Sequence, residues 1–168
     1  KCQIMEFKGT LIPVGGNENK GIGLKESECL DFIKQGILSV IVRESGGIGA
    51  RIVVITTASS IPVEVGENYS QAFETLGCQT VQIVDVRKRS EAQLKKNVKL
   101  IEEADCIMFS GGDQSRIVKC FADTTAHQII RKKLEETKLV LAGTSAGAMS
   151  MSLQMIAGGS VVDAMQKG

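Results

Sequence analysis

Residues 138–147 read Lys-Leu-Val-Leu-Ala-Gly-Thr-Ser-Ala-Gly, an apolar run that leads into a serine, Ser145, flanked by two glycines. The run predicts a buried strand, and the small residues after it predict a sharp turn into a helix. A nucleophile elbow has this pattern, because side chains larger than hydrogen would collide at the two glycine positions. The turn exposes the serine Oγ and points the next backbone N–H at the developing oxyanion. The stretch therefore predicts an α/β fold with Ser145 as the nucleophile of a serine hydrolase.

A second interpretation of the same stretch involves no catalysis. The turn would simply join a strand to a helix, and the Ser145 side chain would cap the first turn of that helix. The residues that follow, 148–151, favour a helix and are compatible with both interpretations. The rest of the chain has to decide between them.

The chain alternates short apolar runs with amphipathic stretches. The runs are rich in Val and Ile and predict strands covered on both faces, namely Thr10–Val14, Arg51–Thr57, Thr80–Val84, Asp105–Phe109 and Lys138–Ala142. Helical spacing predicts three further helices. The first covers Gly66–Leu76 and is closed by Gly77, the second begins after Ser90 as its cap, and the third covers Thr124–Glu136. The stretch Glu26–Glu44 predicts a long helix interrupted near Gly36, with a strand over 36–42 as the alternative.

These strand–helix–strand units predict a three-layer, doubly wound α/β domain with a mostly parallel sheet and right-handed crossovers. A length of 168 residues is sufficient for one domain with a sizeable hydrophobic core. Ligands of such sheets bind beyond the carboxyl ends of the strands. The residues that follow each strand are therefore the candidates for function.

Composition excludes several other classes of protein. The net charge of +1 gives no support for binding nucleic acid or a membrane surface, and no apolar run approaches the length of a spanning helix. The five cysteines form no C-x-x-C pair, and a single histidine is too few for a structural zinc site. We therefore predict no metal, buried reduced thiols at Cys106 and Cys120, and a cytoplasmic protein.

Two glycines at the end of the fourth predicted strand, Gly111 and Gly112, are the best partners for the serine turn. Glycines let backbone N–H groups approach a ligand closely, so Gly112 can supply a second oxyanion donor opposite Ala146. Gln114 opens the next helix at the same edge and can bind a substrate amide or carboxylate. The alternative is a plain glycine turn. A dinucleotide site is disfavoured, because residues 21–26 lack the third glycine of its fingerprint.

Taken together, the strand ends resemble those of the cyanophycinases, which belong to the peptidase family that also contains the aspartyl dipeptidase peptidase E. The resemblance runs from about Lys8 to about Met151. It rests on four motifs: Gly15-Gly16-Asn17-Glu18, Ala58-Ser59, Phe109-Ser110-Gly111-Gly112-Asp113-Gln114, and Ala142-Gly143-Thr144-Ser145-Ala146-Gly147-Ala148. The glutamine of the third motif distinguishes the cyanophycin-degrading branch from the dipeptidase branch.

The resemblance implies a flavodoxin-like fold akin to the class I glutamine amidotransferases, usually in a homodimer. It implies hydrolysis of cyanophycin, a poly-aspartate backbone that carries arginine on each side-chain carboxyl, to β-aspartyl-arginine dipeptides without a metal or an organic cofactor. By the same resemblance the nucleophile is Ser145, the oxyanion donors are Ala146 and Gly112, and the peptide substrate binds at Gly111, Asp113 and Gln114, with Gln114 on its aspartyl part.

The general base of that family is missing from the pattern. In the family an acidic residue and a histidine follow the serine, whereas no histidine follows Ser145 here. Asp163 lies in the interval expected for the acid, and we expect residues 1–168 to be the N-terminal two-thirds of a longer domain whose C-terminal part is missing. His127, the only histidine, lies on the predicted helix before the fifth strand, where the family places no catalytic group.

Three functions follow from these patterns. The first is a cyanophycinase-like serine exopeptidase. The second is a peptidase E-like aspartyl dipeptidase, against which Gln114 argues. The third is a non-catalytic ligand-binding member of the same fold, since a serine without a base is a weak nucleophile at neutral pH.

Overall fold

A single five-stranded sheet forms the centre of the structure, a computed structural model that describes residues 7–16, 18–23, 26–152 and 155. The strands are β1 (Thr10–Val14), β2 (Arg51–Ile55), β3 (Thr80–Val84), β4 (Cys106–Phe109) and β5 (Val140–Thr144). All paired strands are parallel, in the order β1-β5-β4-β2-β3. The five predicted strands and the parallel α/β fold class are confirmed.

Helices connect these strands. They are α1 (Glu26–Gln35), α2 (Ile37–Glu44), α3 (Pro62–Thr75), α4 (Lys95–Glu103), α5 (Gln114–Phe121), α6 (Thr125–Glu136) and α7 (Ala146–Met149). Gly36 separates α1 from α2 with extended backbone, and a Cβ there would lie 2.5 Å from the carbonyl oxygen of Phe32. The predicted interruption near Gly36 is therefore confirmed, and the strand alternative over 36–42 is wrong.

Two helix starts differ from the prediction. Ser90 is not the cap of α4: it precedes a 3-10 turn at Glu91–Gln93 and makes no side-chain cap hydrogen bond. An extended Leu94 then separates that turn from α4. Helix α3 begins at Pro62, earlier than predicted, because the missing N–H and fixed φ of proline suit the first turn of a helix.

Alternate residues of the interior strand β2 pack into opposite cores, as the pleat of a strand requires. Ile52 and Val54 pack in one core with side chains of α2 and α3. Val53 and Ile55 pack in the other with side chains of α4, α5 and α6. Helices thus cover both faces of the sheet, which confirms the three layers.

The register of the sheet brings four strand ends to one level. Val14 of β1 lies beside Thr144 of β5, and Phe109 of β4 lies between Gly143 of β5 and Ile55 of β2. Strand β5 ends two residues later than predicted, so Ser145 follows it directly. The loops after β1, β2, β4 and β5 therefore meet at one edge of the sheet.

Three cysteines of the described chain are buried thiols. Cys78, Cys106 and Cys120 are unpaired and buried, which confirms the prediction for Cys106 and Cys120. Burial raises the pKa of the Cys106 thiol to about 12, so it stays protonated. In the described part of the chain, no helix is long and apolar enough to cross a membrane.

Candidate active site

Ser145 has a strained backbone conformation at the turn between β5 and α7. Its φ is +51° and its ψ is −108°, a combination that L-residues rarely adopt. Its N–H donates to the Val14 carbonyl at 2.9 Å, and its own carbonyl accepts from Met149 at 2.9 Å. The residue is exposed, and its side chain makes no cap hydrogen bond to α7. Ser145 thus occupies the N-cap position of α7, but the predicted cap by its side chain is wrong.

The two glycines that flank the serine are required by close packing. A Cβ on Gly143 would lie 2.6 Å from the carbonyl carbon of Gly147. A Cβ on Gly147 would lie 2.3 Å from the carbonyl oxygen of Phe109, at the end of β4. Both contacts are with backbone atoms that cannot move aside. The steric reason for the Gly-x-Ser-x-Gly pattern is thus present in the structure.

The glycine pair after β4 lies against the serine turn. A Cβ on Gly111 would lie 3.6 Å from the Cβ of Ser145. Gly112 has φ +140°, and a Cβ there would lie 2.2 Å from the carbonyl oxygen of Ala58. The N–H of Asp113 donates to the same oxygen at 3.0 Å, which fixes the glycine loop to the loop after β2. The backbone at Gly112 is therefore held in a conformation that favours glycine.

These loops form one wall of a cleft of about 320 Å³ at the carboxyl edge of the sheet. Residues of the loop after β1 and of α3 also line it. The lining residues are Gly16, Lys20, Val65, Asn68, Tyr69, Ser110, Gly111, Gly112, Thr144 and Ser145. The structure thus brings together three of the predicted site residues: the serine and the glycine pair.

The other predicted site residues lie around that cleft. Ala146 is buried and opens α7, where the first N–H groups have no acceptor within the helix. The carboxylate of Asp113 caps α5 by accepting from the Ser115 N–H at 2.8 Å, and Gln114 is the half-buried first residue of that helix. Asp163 lies outside the described residues.

His127 is placed away from the cleft lining. It lies in the first turn of α6, where its Nδ1 accepts from the Asp123 N–H at 3.1 Å. Helix α6 packs on α4, on the sheet face opposite α3. Nothing in this position gives His127 a role as the base of Ser145.

A buried carboxylate beside the serine turn, Glu18, is not among the site residues that the sequence predicts. Glu18 accepts hydrogen bonds from the hydroxyls of Tyr69 and Thr144, the latter at 2.5 Å, and forms an ion pair with Lys20 at 3.0 Å. Its side chain is only 1% exposed. The Lys20 ammonium also lies 4.9 Å from the centre of the Tyr69 ring. One signal was available: a buried tyrosine hydroxyl needs a partner, and the polar strand end after β1 could supply it.

The surroundings of Glu18 keep it ionised. Burial alone would raise the pKa of Glu18, but the hydrogen bonds from Thr144, Tyr69 and Lys20 outweigh burial and hold the pKa below its usual range. Burial, with the charge of Glu18 second, raises the pKa of Tyr69, so its hydroxyl stays a donor. The cluster is therefore a charged carboxylate with three donors.

We expect the Glu18→Gln variant to lose stability less steeply in acid than the wild type. The folded pKa of Glu18 lies below its unfolded value of about 4.3, so its stabilisation is complete above that pH. It is lost as the pH falls through the folded pKa, and a glutamine cannot contribute to this loss. The free energy of unfolding in urea, measured from neutral pH down to about pH 3, tests this. Equal acid slopes for the two proteins would contradict it.

Comparisons with known proteins agree with this geometry. The family model described as peptidase family S51 matches residues 19–167. A cyanophycinase of Nostoc sp. is 34% identical over 152 residues, which are 90% of this chain and 47% of that protein. A cyanophycinase of Geminocystis herdmanii is 34% identical over 154 residues, 92% of this chain and 53% of that protein. The chain thus spans about half the length of these curated relatives.

Solved structures show the same fold. A peptidase from an acI-B1 Actinobacterium matches with a TM-score of 0.69 and 24% identity, over 90% of this chain and 59% of that one. A putative peptidase E protein from Listeria monocytogenes matches with a TM-score of 0.58 and 19% identity, over 86% of this chain and 61% of that one. Because the family model covers most of the sequence, the family suggested by the strand-end motifs is confirmed. The chain belongs to peptidase family S51.

Proposed function

We propose that this chain carries the nucleophile of a cyanophycinase-like serine peptidase. The observation that carries the proposal is the strained, exposed Ser145, which lies against the glycine pair in the lining of the cleft. Backbone strain at a non-glycine residue persists only where the surroundings enforce it, and it concentrates at active sites. A turn that only joined a strand to a helix would not need that strain.

In the proposed reaction the Ser145 Oγ attacks the carbonyl carbon of the scissile peptide bond. Its proton passes to a general base, and the carbonyl oxygen becomes an oxyanion that accepts from the N–H groups of Ala146 and Gly112. The base then protonates the leaving amine as the C–N bond breaks. Water hydrolyses the resulting acyl-enzyme and restores the serine.

The general base comes, in this proposal, from chain beyond the 168 residues. The curated relatives are about twice as long as the matched segment, which leaves room for a histidine after residue 168. Asp163 is proposed as the acid that orients this histidine. If the complete protein has no such histidine, the binding-module function replaces the enzyme.

The proposed substrate is cyanophycin, and the proposed product is the β-aspartyl-arginine dipeptide. Two observations support this choice: curated relatives with 34% identity are cyanophycinases, and Gln114 follows the glycine pair. A homodimer and a cytoplasmic location remain proposals.

We expect the complete protein to release β-aspartyl-arginine from purified cyanophycin. The products can be identified by chromatography and mass spectrometry against synthetic α- and β-linked dipeptides. Cleavage of α-aspartyl dipeptides alone would instead assign the protein to the peptidase E branch. No hydrolysis of either substrate would support a ligand-binding protein.

A further inference from the structure

We propose that Glu18 is a positioning residue for the nucleophile and acts through the hydroxyl of Thr144. The inference rests on the proposed function, because it takes Ser145 as the reactive serine. Thr144 is the last residue of β5 and immediately precedes Ser145. Its Oγ1 donates to Glu18 Oε2 at 2.5 Å, so the carboxylate is one residue away from the strained turn.

The serine turn needs restraints, because its conformation is unfavourable. A positive φ at a non-glycine residue costs about 1–3 kcal/mol and persists only where neighbouring structure fixes it. Two restraints act on the backbone: the hydrogen bond from Ser145 to Val14, and the packing of Gly147 on Phe109. The bond from Thr144 to Glu18 is a third restraint, and it acts on a side chain next to the serine.

Glu18 is itself held rigidly enough to act as an anchor. Its carboxylate binds donors from three segments: Tyr69 of α3, Lys20 of the loop after β1, and Thr144 of β5. Ionised acceptors form the stronger hydrogen bonds, and a planar carboxylate with several partners has a fixed orientation. Glu18 therefore ties the serine turn to α3, a helix that also lines the cleft.

Burying an ionised carboxylate costs more free energy than filling the same volume with an apolar side chain. Removing such a charge from water costs free energy unless good partners compensate, and apolar side chains of similar volume are often as stable. Packing alone therefore does not explain an ionised glutamate whose side chain is 1% exposed and whose three partners, Lys20, Tyr69 and Thr144, all line the cleft. The buried charge is explained if it orients Thr144, the residue before the nucleophile.

The test is the rate at which a fluorophosphonate probe labels the complete protein, with Thr144→Val, Thr144→Ser and Glu18→Gln as variants. Valine keeps the shape of threonine without the hydroxyl, and serine keeps the hydroxyl. Since misplacement by about 1 Å can cost 10²-fold in rate, we expect Thr144→Val to label about 10-fold slower or worse. Thr144→Ser should stay close to the wild-type rate. Thermal unfolding shows that each variant is folded.

Two further readouts separate positioning from a general loss of stability. Against cyanophycin, Thr144→Val should lower kcat with little change in KM, because the substrate still binds. The Thr144→Val and Glu18→Gln effects on labelling should not multiply in the double variant, because the first removes the donor of one hydrogen bond and the second removes the charge of its acceptor.

The outcomes are distinguishable. If the probe labels the wild type and labels Thr144→Val at the same rate, the positioning role of Glu18 is wrong, but the nucleophile stands. The same holds if Thr144→Ser is labelled as slowly as Thr144→Val. Effects that multiply in the double variant also overturn the positioning role, because they show two independent roles. A wild-type protein that the probe does not label overturns the proposed nucleophile and this inference with it.

Discussion

The Ser145→Ala variant is expected to lose dipeptide release from cyanophycin by at least about 10⁴-fold, since removal of the nucleophile from a serine hydrolase eliminates the covalent route. The loss should appear in kcat. The fold should survive, because the hydroxyl of Ser145 makes no cap hydrogen bond to α7 and the residue is exposed. Steady-state turnover of the complete protein, with thermal unfolding of both forms, measures this.

Ser90→Ala is the matched control for that experiment. Ser90 is exposed, makes no cap hydrogen bond and lies outside the residues that line the cleft. We expect it to keep the wild-type rate of dipeptide release. Undiminished turnover by Ser145→Ala would show that another group attacks the peptide bond.

The Gly112→Ala variant is expected to lose both stability and activity. An alanine Cβ would lie 2.2 Å from the carbonyl oxygen of Ala58, and the φ of +140° is itself unfavourable for alanine. The two effects together predict a loss of about 2–5 kcal/mol in the free energy of unfolding. Relief of the clash moves the Gly112 N–H, and loss of one oxyanion donor predicts a fall of about 10²–10³-fold in kcat.

Gly49→Ala is the comparison for that variant. A Cβ on Gly49 would contact nothing within 4 Å, and its φ is not in the left-handed region. Urea unfolding should therefore show Gly49→Ala close to the wild type and Gly112→Ala clearly less stable. Equal stability of the two variants would contradict the constraint assigned to Gly112, and a normal kcat in folded Gly112→Ala would contradict its role as an oxyanion donor.

The serine turn was predictable because its causes are local. An apolar strand, two glycines and a serine follow one another within ten residues, and the clashes of Gly143 and Gly147 explain why that pattern occurs. The parallel sheet was predictable for the same reason, since each strand is a short apolar run. The starts of helices were less predictable. Ser90 has a side chain that can cap a helix, but the extended Leu94 separates Ser90 from α4.

The Glu18 cluster was not predictable from local pattern. Glu18 and Thr144 are 126 positions apart in the chain and meet only because β1 pairs with β5. Tyr69 lies within the helix predicted over Gly66–Leu76 and is buried, but the sequence does not say which acceptor its hydroxyl reaches. Asp113 was expected from its motif to bind substrate, and the structure shows that its carboxylate also caps α5. Contacts of this kind depend on tertiary structure.

The most direct test of Ser145 as the nucleophile is the site of covalent labelling. The complete protein would be treated with a fluorophosphonate, digested, and its peptides mapped by mass spectrometry. We predict one adduct, on the Oγ of Ser145, and none in the Ser145→Ala variant. An adduct on Ser110, which also lines the cleft, or the absence of any adduct on active protein would contradict the assignment.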